Sequence, residues 1–214
     1  MKAIALLLAI LPGLALAQGM YPPPPPDYPP PPPGSQRYQG APTRSPWYVG
    51  FGMGAGDGSV SGQGQRVNLG DLGGGGRLGF NFKIGATLTP KLLLGFDLLT
   101  LSTFGTQVDQ YGYTYDSTAT IADADVMLTY FPWERGFFVR AGVGPTFLSF
   151  DQNSYTSSSY AGFNGDVGLG YAFWLGDSFN FTLNGDFAAQ TYGSSSNAPE
   201  SSRFFLFWLG FDWY

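Results

Sequence analysis

The 214-residue chain has ten Lys and Arg residues, fifteen Asp and Glu residues, and no Cys or His. Its net charge of −5 argues against nucleic acid as a partner. Without Cys and His the chain has no disulfide, no acylated cysteine, no catalytic thiolate and no His-based triad, and zinc binding is disfavoured. We therefore predict no catalytic residues, no cofactor and no metal site.

Residues 1–17 have the pattern of a cleaved signal peptide. A lysine precedes an apolar stretch, and Ala15-Leu16-Ala17 shows the small-x-small pattern that signal peptidase recognises. A transmembrane anchor is the alternative interpretation. The apolar stretch is interrupted by Pro12-Gly13 and is shorter than the ~20 residues that a spanning helix needs. We expect cleavage after Ala17.

Residues 18–45 are predicted to form a proline-rich periplasmic linker. Two runs of five prolines, at 22–26 and 29–33, surround Asp27-Tyr28. Such runs adopt polyproline II, which rises about 3.1 Å per residue and cannot join a sheet. The linker is therefore expected to be a semi-rigid, solvated arm. It is either a spacer across the periplasm or a docking site for a periplasmic partner, with Tyr28 as the anchor.

Residues 46–214 are predicted to contain eight β-strands. Apolar and polar residues alternate over segments of roughly ten residues or slightly more, as tilted transmembrane strands require. The segments are 47–55, 77–88, 92–104, 118–130, 137–150, 160–174, 179–192 and 203–214.

The connections between these strands alternate between long and short. The long ones are 56–76, 105–117, 151–159 and 193–202, and the short turns lie near Pro90, Pro132 and Asp177. Outer-membrane barrels have short periplasmic turns and long external loops. The order therefore predicts an all-β, eight-stranded, antiparallel up-and-down transmembrane barrel with four polar loops outside and both termini in the periplasm.

The two faces of the predicted strands differ in a way that favours a membrane barrel. A soluble barrel would carry many Lys and Glu residues on its polar face, whereas here that face holds Gly, Asn, Thr and isolated charges. A charge facing the bilayer midplane would cost about 2–4 kcal/mol. Tryptophans at the predicted periplasmic strand ends are expected to form an aromatic girdle: Trp47, Trp133, Trp174 and Trp213.

The polar face is predicted to place a charge network in the lumen. Its members are Arg77, Lys83, Asp97, Asp123, Asp125, Arg140, Asp166, Asp186 and Asp212. An eight-stranded barrel is just wide enough inside for side chains to fill it. We favour a plug of ion pairs, in which Lys83 and Arg140 bridge across the lumen. A narrow, gated ion path that prefers cations is the alternative.

The last strand carries the most specific pattern. Phe205, Phe207, Leu209, Phe211 and Trp213 share one face, and Tyr214 ends the chain. With this strand and the alternation before it, the chain resembles the small outer-membrane barrels of Gram-negative bacteria, of the OmpA transmembrane domain and OmpX type. The resemblance implies that these six residues are a signal for the barrel-assembly machinery.

The resemblance also sets the expected location and function. It implies export through the inner membrane and residence in the outer membrane, with membrane lipid as a partner. Enzymes built on such barrels use His with Ser or Asp, and this chain has no His, so we predict no enzymatic activity. We expect a structural or surface-interaction role; the alternative is a narrow, gated pore or a small-solute transporter.

Overall fold

The computed structural model describes residues 44–73, 76–108, 111–152, 156–193 and 199–214. The predicted signal peptide and nearly all of the proline-rich linker lie outside the described residues. The elements are β1 (Trp47–Gly62), β2 (Gln65–Asn68), α1 (Leu69–Gly73), β3 (Arg77–Thr89), β4 (Leu92–Val108), β5 (Thr114–Tyr130), β6 (Gly136–Gln152), β7 (Thr156–Trp174), β8 (Phe179–Tyr192) and β9 (Ser201–Trp213).

The eight long strands close into an antiparallel barrel. Each long strand pairs with its neighbours in the order β1-β3-β4-β5-β6-β7-β8-β9, and β9 pairs back with β1. The short strand β2 pairs only with the end of β1, from Ser59↔Asn68 to Gly62↔Gln65, and so stands outside the wall. The predicted eight-stranded fold is confirmed. Among the described residues, no helix is long and apolar enough to cross a membrane.

Strand positions agree with the sequence analysis, but several strands are longer than predicted. β8 has the predicted bounds, whereas β1 continues to Gly62 rather than ending at Ala55. The glycine-rich residues 56–62 suggested a loop. They are extended because β9 pairs with them as far as Ser61↔Ser201, which satisfies their backbone groups.

Side chains alternate between the wall and the interior. In β5, Val126 and Leu128 are 58 % and 44 % exposed on the outside, whereas the intervening Met127 is 1 % exposed. The other strands continue this pattern, so the barrel has an apolar outer wall and a filled interior. The connections β3–β4, β5–β6 and β7–β8 lie at one end of the barrel, the short-turn end, and the connections β1–β3, β4–β5, β6–β7 and β8–β9 lie at the other, the long-loop end. The predicted lengths are wrong for two of the latter: 109–113 and 153–155 are no longer than the turn 131–135, because β4, β5, β6 and β7 extend further than predicted.

The outward aromatic residues of β9 link it to β1 across the seam that closes the barrel. Phe51 of β1 lies 6.0 Å from Phe211 and 5.3 Å from Trp213, measured between ring centroids. We predict that the double substitution Phe211→Ser and Trp213→Ser prevents assembly. Gel mobility of heated and unheated membrane fractions should then show loss of the compact, heat-modifiable form.

The matched control is Leu183→Ser with Phe187→Ser, which removes two outward apolar side chains from β8 instead. Each of these residues is 42 % exposed. The control should keep most of the folded form, because its substitutions are away from the seam and the chain end. Equal yields of folded protein from the two double variants would contradict the prediction.

Candidate functional site in the barrel interior

The interior is built of three layers stacked along the barrel axis. Along β4, the buried residues Leu93, Asp97 and Leu101 mark their order from the short-turn end to the long-loop end. The short-turn layer is apolar: Tyr48, Leu93, Phe131, Phe138 and Ala172. The long-loop layer is also apolar and includes Leu99, Leu101, Ile121, Leu148, Phe204, Leu206 and Trp208. The ion-paired residues, including Asp97 on β4 and Arg140 on β6, lie between them.

Lys83 and Asp212 form an ion pair in the middle layer. Lys83 Nζ lies 2.9 Å from Asp212 Oδ1, and both side chains are buried. Gly50 of β1 pairs with Lys83 on one side and with Asp212 on the other. A Cβ at Gly50 would collide with both side chains. Because glycine has no side chain, Lys83 and Asp212 can form their ion pair across β1.

Arg140 bridges the lumen between two strands that do not neighbour its own. Its Nη1 lies 2.7 Å from Asp97 Oδ2 on β4, and its Nε lies 2.7 Å from Asp186 Oδ1 on β8. These charge-assisted hydrogen bonds hold opposite walls together. Lys83 likewise contacts an acid across one intervening strand, β1, but it does so on one side only. A bridge between opposite walls, expected for both cations, is therefore made by Arg140 alone.

The indole of Trp208 lies between these two cations. Its ring centroid is 5.1 Å from Lys83 Nζ and 5.2 Å from Arg140 Cζ, within the range of cation–π attraction. Its Nε1 donates a hydrogen bond to Asp186 Oδ2. By alternation with Phe207 and Leu209, Trp208 lies on the polar face of the last strand, but the sequence alone indicates no role for it. The structure makes it the contact between the ion-paired layer and the long-loop apolar layer.

The other three buried carboxylates have no cationic partner within salt-bridge distance among the described residues. Gln190 Nε2 donates to Asp123 Oδ2 at 2.8 Å, and Asn164 Nδ2 donates to Asp125 Oδ2 at 3.3 Å. Neither oxygen of Asp166 has a hydrogen-bond partner among the described residues. The described part of the chain contains no group of three acidic residues that could hold a metal ion. The interior thus has six carboxylates and two cations.

Arg77 does not belong to this interior network, so its assignment to the lumen is corrected. It begins β3 at the long-loop end, where its Nη1 lies 2.6 Å from Asp57 Oδ2. The two side chains are 31 % and 60 % exposed. Arg77 has the inward alternation of its strand, but it lies above the level at which the barrel encloses its contents.

The predicted girdle also needs one correction. Trp47, Trp133 and Trp213 are exposed, by 53 %, 72 % and 38 %. Trp174 instead alternates with the outward Phe173 and stacks on Tyr214, with ring centroids 5.6 Å apart. Tyr214 also lies 5.8 Å from Tyr48. Trp174 and Tyr214 therefore extend the short-turn layer of the interior.

The first five residues of the predicted assembly signal form an outward row on β9. Phe205, Phe207, Leu209 and Trp213 are 40 %, 64 %, 50 % and 38 % exposed, and Phe211 is half-buried between neighbouring rings. Tyr214 follows the row but points to the opposite side, because one residue reverses the direction of a side chain on a strand.

Arg44 covers the short-turn layer, a position that the sequence analysis did not identify. Its Nη1 donates to the carbonyl oxygens of Pro90, at 2.5 Å, and Glu134, at 2.6 Å. Its Cζ lies 3.7 Å from the centroid of the Phe131 ring. A residue just ahead of β1 therefore joins the turns of two hairpins. The only signal in the sequence is a basic residue at the end of the predicted linker, and this residue belongs with the barrel instead.

A second close approach in the interior gives a stability prediction. A Cβ at Gly52 would overlap the Trp208 ring and lie 2.6 Å from Leu209 O. Gly52→Ala should lower the free energy of unfolding by about 1–3 kcal/mol through overpacking. Urea unfolding followed by tryptophan fluorescence measures this. The control is Gly165→Ala, where the added Cβ meets no atom within 4 Å. Equal loss of stability in the two variants would rule out the Trp208 contact as the cause.

Removing the bridging arginine should weaken the barrel strongly. Arg140→Ala leaves Asp97 and Asp186 without their cation, and breaking a buried pair on one side costs about 3–5 kcal/mol. We expect easier urea unfolding from liposomes at neutral pH. The difference should shrink in acid, where protonation removes the negative charges left behind.

The control for this experiment is Lys91→Ala, which removes the same charge from an exposed turn. It should unfold like the parent. If Arg140→Ala also unfolds like the parent at neutral pH, water solvates these carboxylates and the dry ion-pair description fails.

Comparisons with known proteins found similar solved structures and one matching family. No curated relative matches the chain. Among solved structures, Neisserial surface protein A, NspA, is 10 % identical, with 79 % of this chain and 97 % of that one covered and a TM-score of 0.50. Ail, the attachment invasion locus protein of Yersinia pestis, is 12 % identical, with 79 % and 100 % covered and a TM-score of 0.47.

OprG of Pseudomonas aeruginosa is 14 % identical, with 80 % of this chain and 96 % of that one covered and a TM-score of 0.42. Likeness at these identities concerns the fold alone. The family is shown by sequence: residues 34–204 match the model of the outer membrane protein beta-barrel domain. With its closed eight-stranded wall and this match over most of its length, the chain belongs to the outer membrane protein beta-barrel domain family.

Proposed function

We propose that this outer-membrane barrel has a structural or surface-interaction role and that its lumen is closed. In this proposal the barrel displays the four connections of its long-loop end at the cell surface and carries the proline-rich arm on the periplasmic side. The observation that carries it is the filled interior, in which an ion-paired layer lies between two apolar layers. An ion crossing the barrel would have to displace buried side chains in all three layers.

The space between the middle layer and the short-turn layer supports a closed lumen. The cavity there is lined by Tyr48, Lys83, Phe138 and Arg140, among others, and measures about 10 Å³. Such a volume is about the smallest that can hold one water molecule. It can hold a bridging water but offers no passage to a hydrated solute.

The long-loop end has features suited to surface contacts. In the described part of the connection between β4 and β5, Tyr111 and Tyr113 are 76 % and 73 % exposed. Tyrosine combines a large apolar ring with a polar hydroxyl, and it is enriched at interfaces for that reason. These residues favour a binding role for the loops over a role for the lumen.

A narrow cation path is the second candidate, and the excess of interior acid favours it. Six buried carboxylates against two cations would attract cations and repel anions. Conduction would then require the apolar layers to open, so the path would be gated.

Planar-bilayer recording from the purified, refolded protein tests the two candidates. We expect no steady current above that of the lipid alone. A steady current in the parent would overturn the proposal. If that current were cation-selective and were abolished by Asp125→Asn with Asp166→Asn, it would establish the interior path.

A further inference from the structure

A patch of hydrogen-bond donors lies on the outer face of the barrel at its long-loop end. The three strands β2, β1 and β9 are adjacent there, and residues opposite one another share a face. One cross-strand row contains Asn68, Ser59 and Arg203, and the next contains Arg66, Ser61 and Ser201. These six positions, here called the arginine–serine patch, carry two guanidinium groups and three hydroxyls and no carboxylate.

The two arginines of the patch lie on the two strands that flank Ser59. Arg66 Nε donates to Ser59 Oγ at 2.9 Å, so the Arg66 side chain runs diagonally across β1. Arg203 is the direct partner of Ser59 on β9. Ser59 is 2 % exposed, whereas both arginines are exposed. The two arginines are therefore exposed to solvent on the strands that flank Ser59.

The acidic residues near the arginine–serine patch do not neutralise its positive charge. Asp57, two residues before Ser59 on the same strand, is paired with Arg77 at 2.6 Å. Asp71 accepts a hydrogen bond from Asn68 Nδ2 at 3.0 Å. Glu200 is exposed beside the patch but precedes β9 and lies outside its rows. Neither Arg66 nor Arg203 has an ion-pair partner within 4 Å in the part of the chain that the structure describes.

The arginine–serine patch lies where the apolar outer wall ends, toward the long-loop end. On the same face of β9, Arg203 is followed by Phe205 and Phe207, which are 40 % and 64 % exposed. In an outer-membrane barrel, this boundary is at the level of the lipid headgroups, with acyl chains against the aromatic residues below. A ligand bound here can have a charged head on the arginines and an apolar tail along the wall.

We infer that the arginine–serine patch binds the phosphate group of a membrane-lipid headgroup. The planar guanidinium fork matches phosphate oxygens bidentately, and serine hydroxyls donate to the remaining oxygens. The adjoining aromatic wall selects a lipid over free phosphate, because only the lipid gains apolar contacts there. This inference depends on the membrane location of the barrel and is independent of whether the lumen conducts.

Binding can be measured in a phosphate-free detergent such as octyl glucoside. The probes are short-chain phosphatidic acid, the diacylglycerol with the same chains, and inorganic phosphate. For the folded parent, titration calorimetry should give the tightest binding for phosphatidic acid. Arg66→Gln with Arg203→Gln should weaken that binding by about tenfold or more, as expected for loss of hydrogen bonds to a charged group.

The control is Lys91→Gln with Arg135→Gln, which removes two cations from turns at the other end. It should bind like the parent, and heat modifiability verifies the fold of every variant. Should the double variant fail to fold, Arg203→Gln alone provides the test, since its exposed side chain has no ion pair to lose. Unchanged binding in the patch variant would overturn the site. Equal binding of inorganic phosphate would overturn the lipid assignment, and equal binding of diacylglycerol would leave the apolar wall as the binding surface.

Discussion

Pairing of β9 with β1 is the constraint on which the rest of the structure depends. In lipid, every backbone N–H and C=O of a strand needs a partner within the protein, and an open sheet would leave two edges unsatisfied. The seam runs from Val49↔Trp213 to Ser61↔Ser201, so it covers almost the whole length of both strands. It turns a sheet of eight strands into a wall without edges, and it fixes the small cross-section that the interior must fill.

The narrow cross-section explains why one strand contributes no side chains to much of the interior. Successive inward positions of β1 are glycines, including Gly50, Gly52 and Gly54. Trp208 and the pair of Lys83 with Asp212 occupy the space that these glycines leave. Large side chains thus alternate with glycines around the barrel, as in other small barrels whose interiors are filled by side chains. The ion pairs add a cross-brace in which Arg140 joins the walls on either side of its own strand.

The sequence predicted the strands and the face of each residue well, because both follow from a period of two. Lys83, Asp97, Arg140 and Asp212 were assigned to the interior from this alternation alone, and the structure places them there. Alternation predicts whether a side chain points inward or outward, but not its position along the barrel axis. That position depends on the stagger between strands, which the sequence does not show. Arg77 was therefore assigned to the lumen although it lies at the rim.

Partners across the lumen were likewise beyond sequence reasoning. That Asp123 and Asp125 meet Gln190 and Asn164 rather than a cation depends on which walls face each other at one level. The apolar layers above and below were missed because Leu99 and Leu101 interrupt the simple rule of polar side chains facing inward. Trp174 was misplaced because strand ends were judged by residue type, while its direction followed from its position in the alternation.

The contacts of Arg44 affect how the barrel assembles and unfolds. Its guanidinium meets the carbonyls of two separate turns and the face of Phe131, and these groups come together only when the hairpins are already side by side. We expect an interaction that needs these hairpins already side by side to form late in assembly, after the transition state. Interactions of that kind slow unfolding and leave the folding rate unchanged. We therefore expect Arg44 to prolong the lifetime of the assembled barrel rather than to speed its assembly.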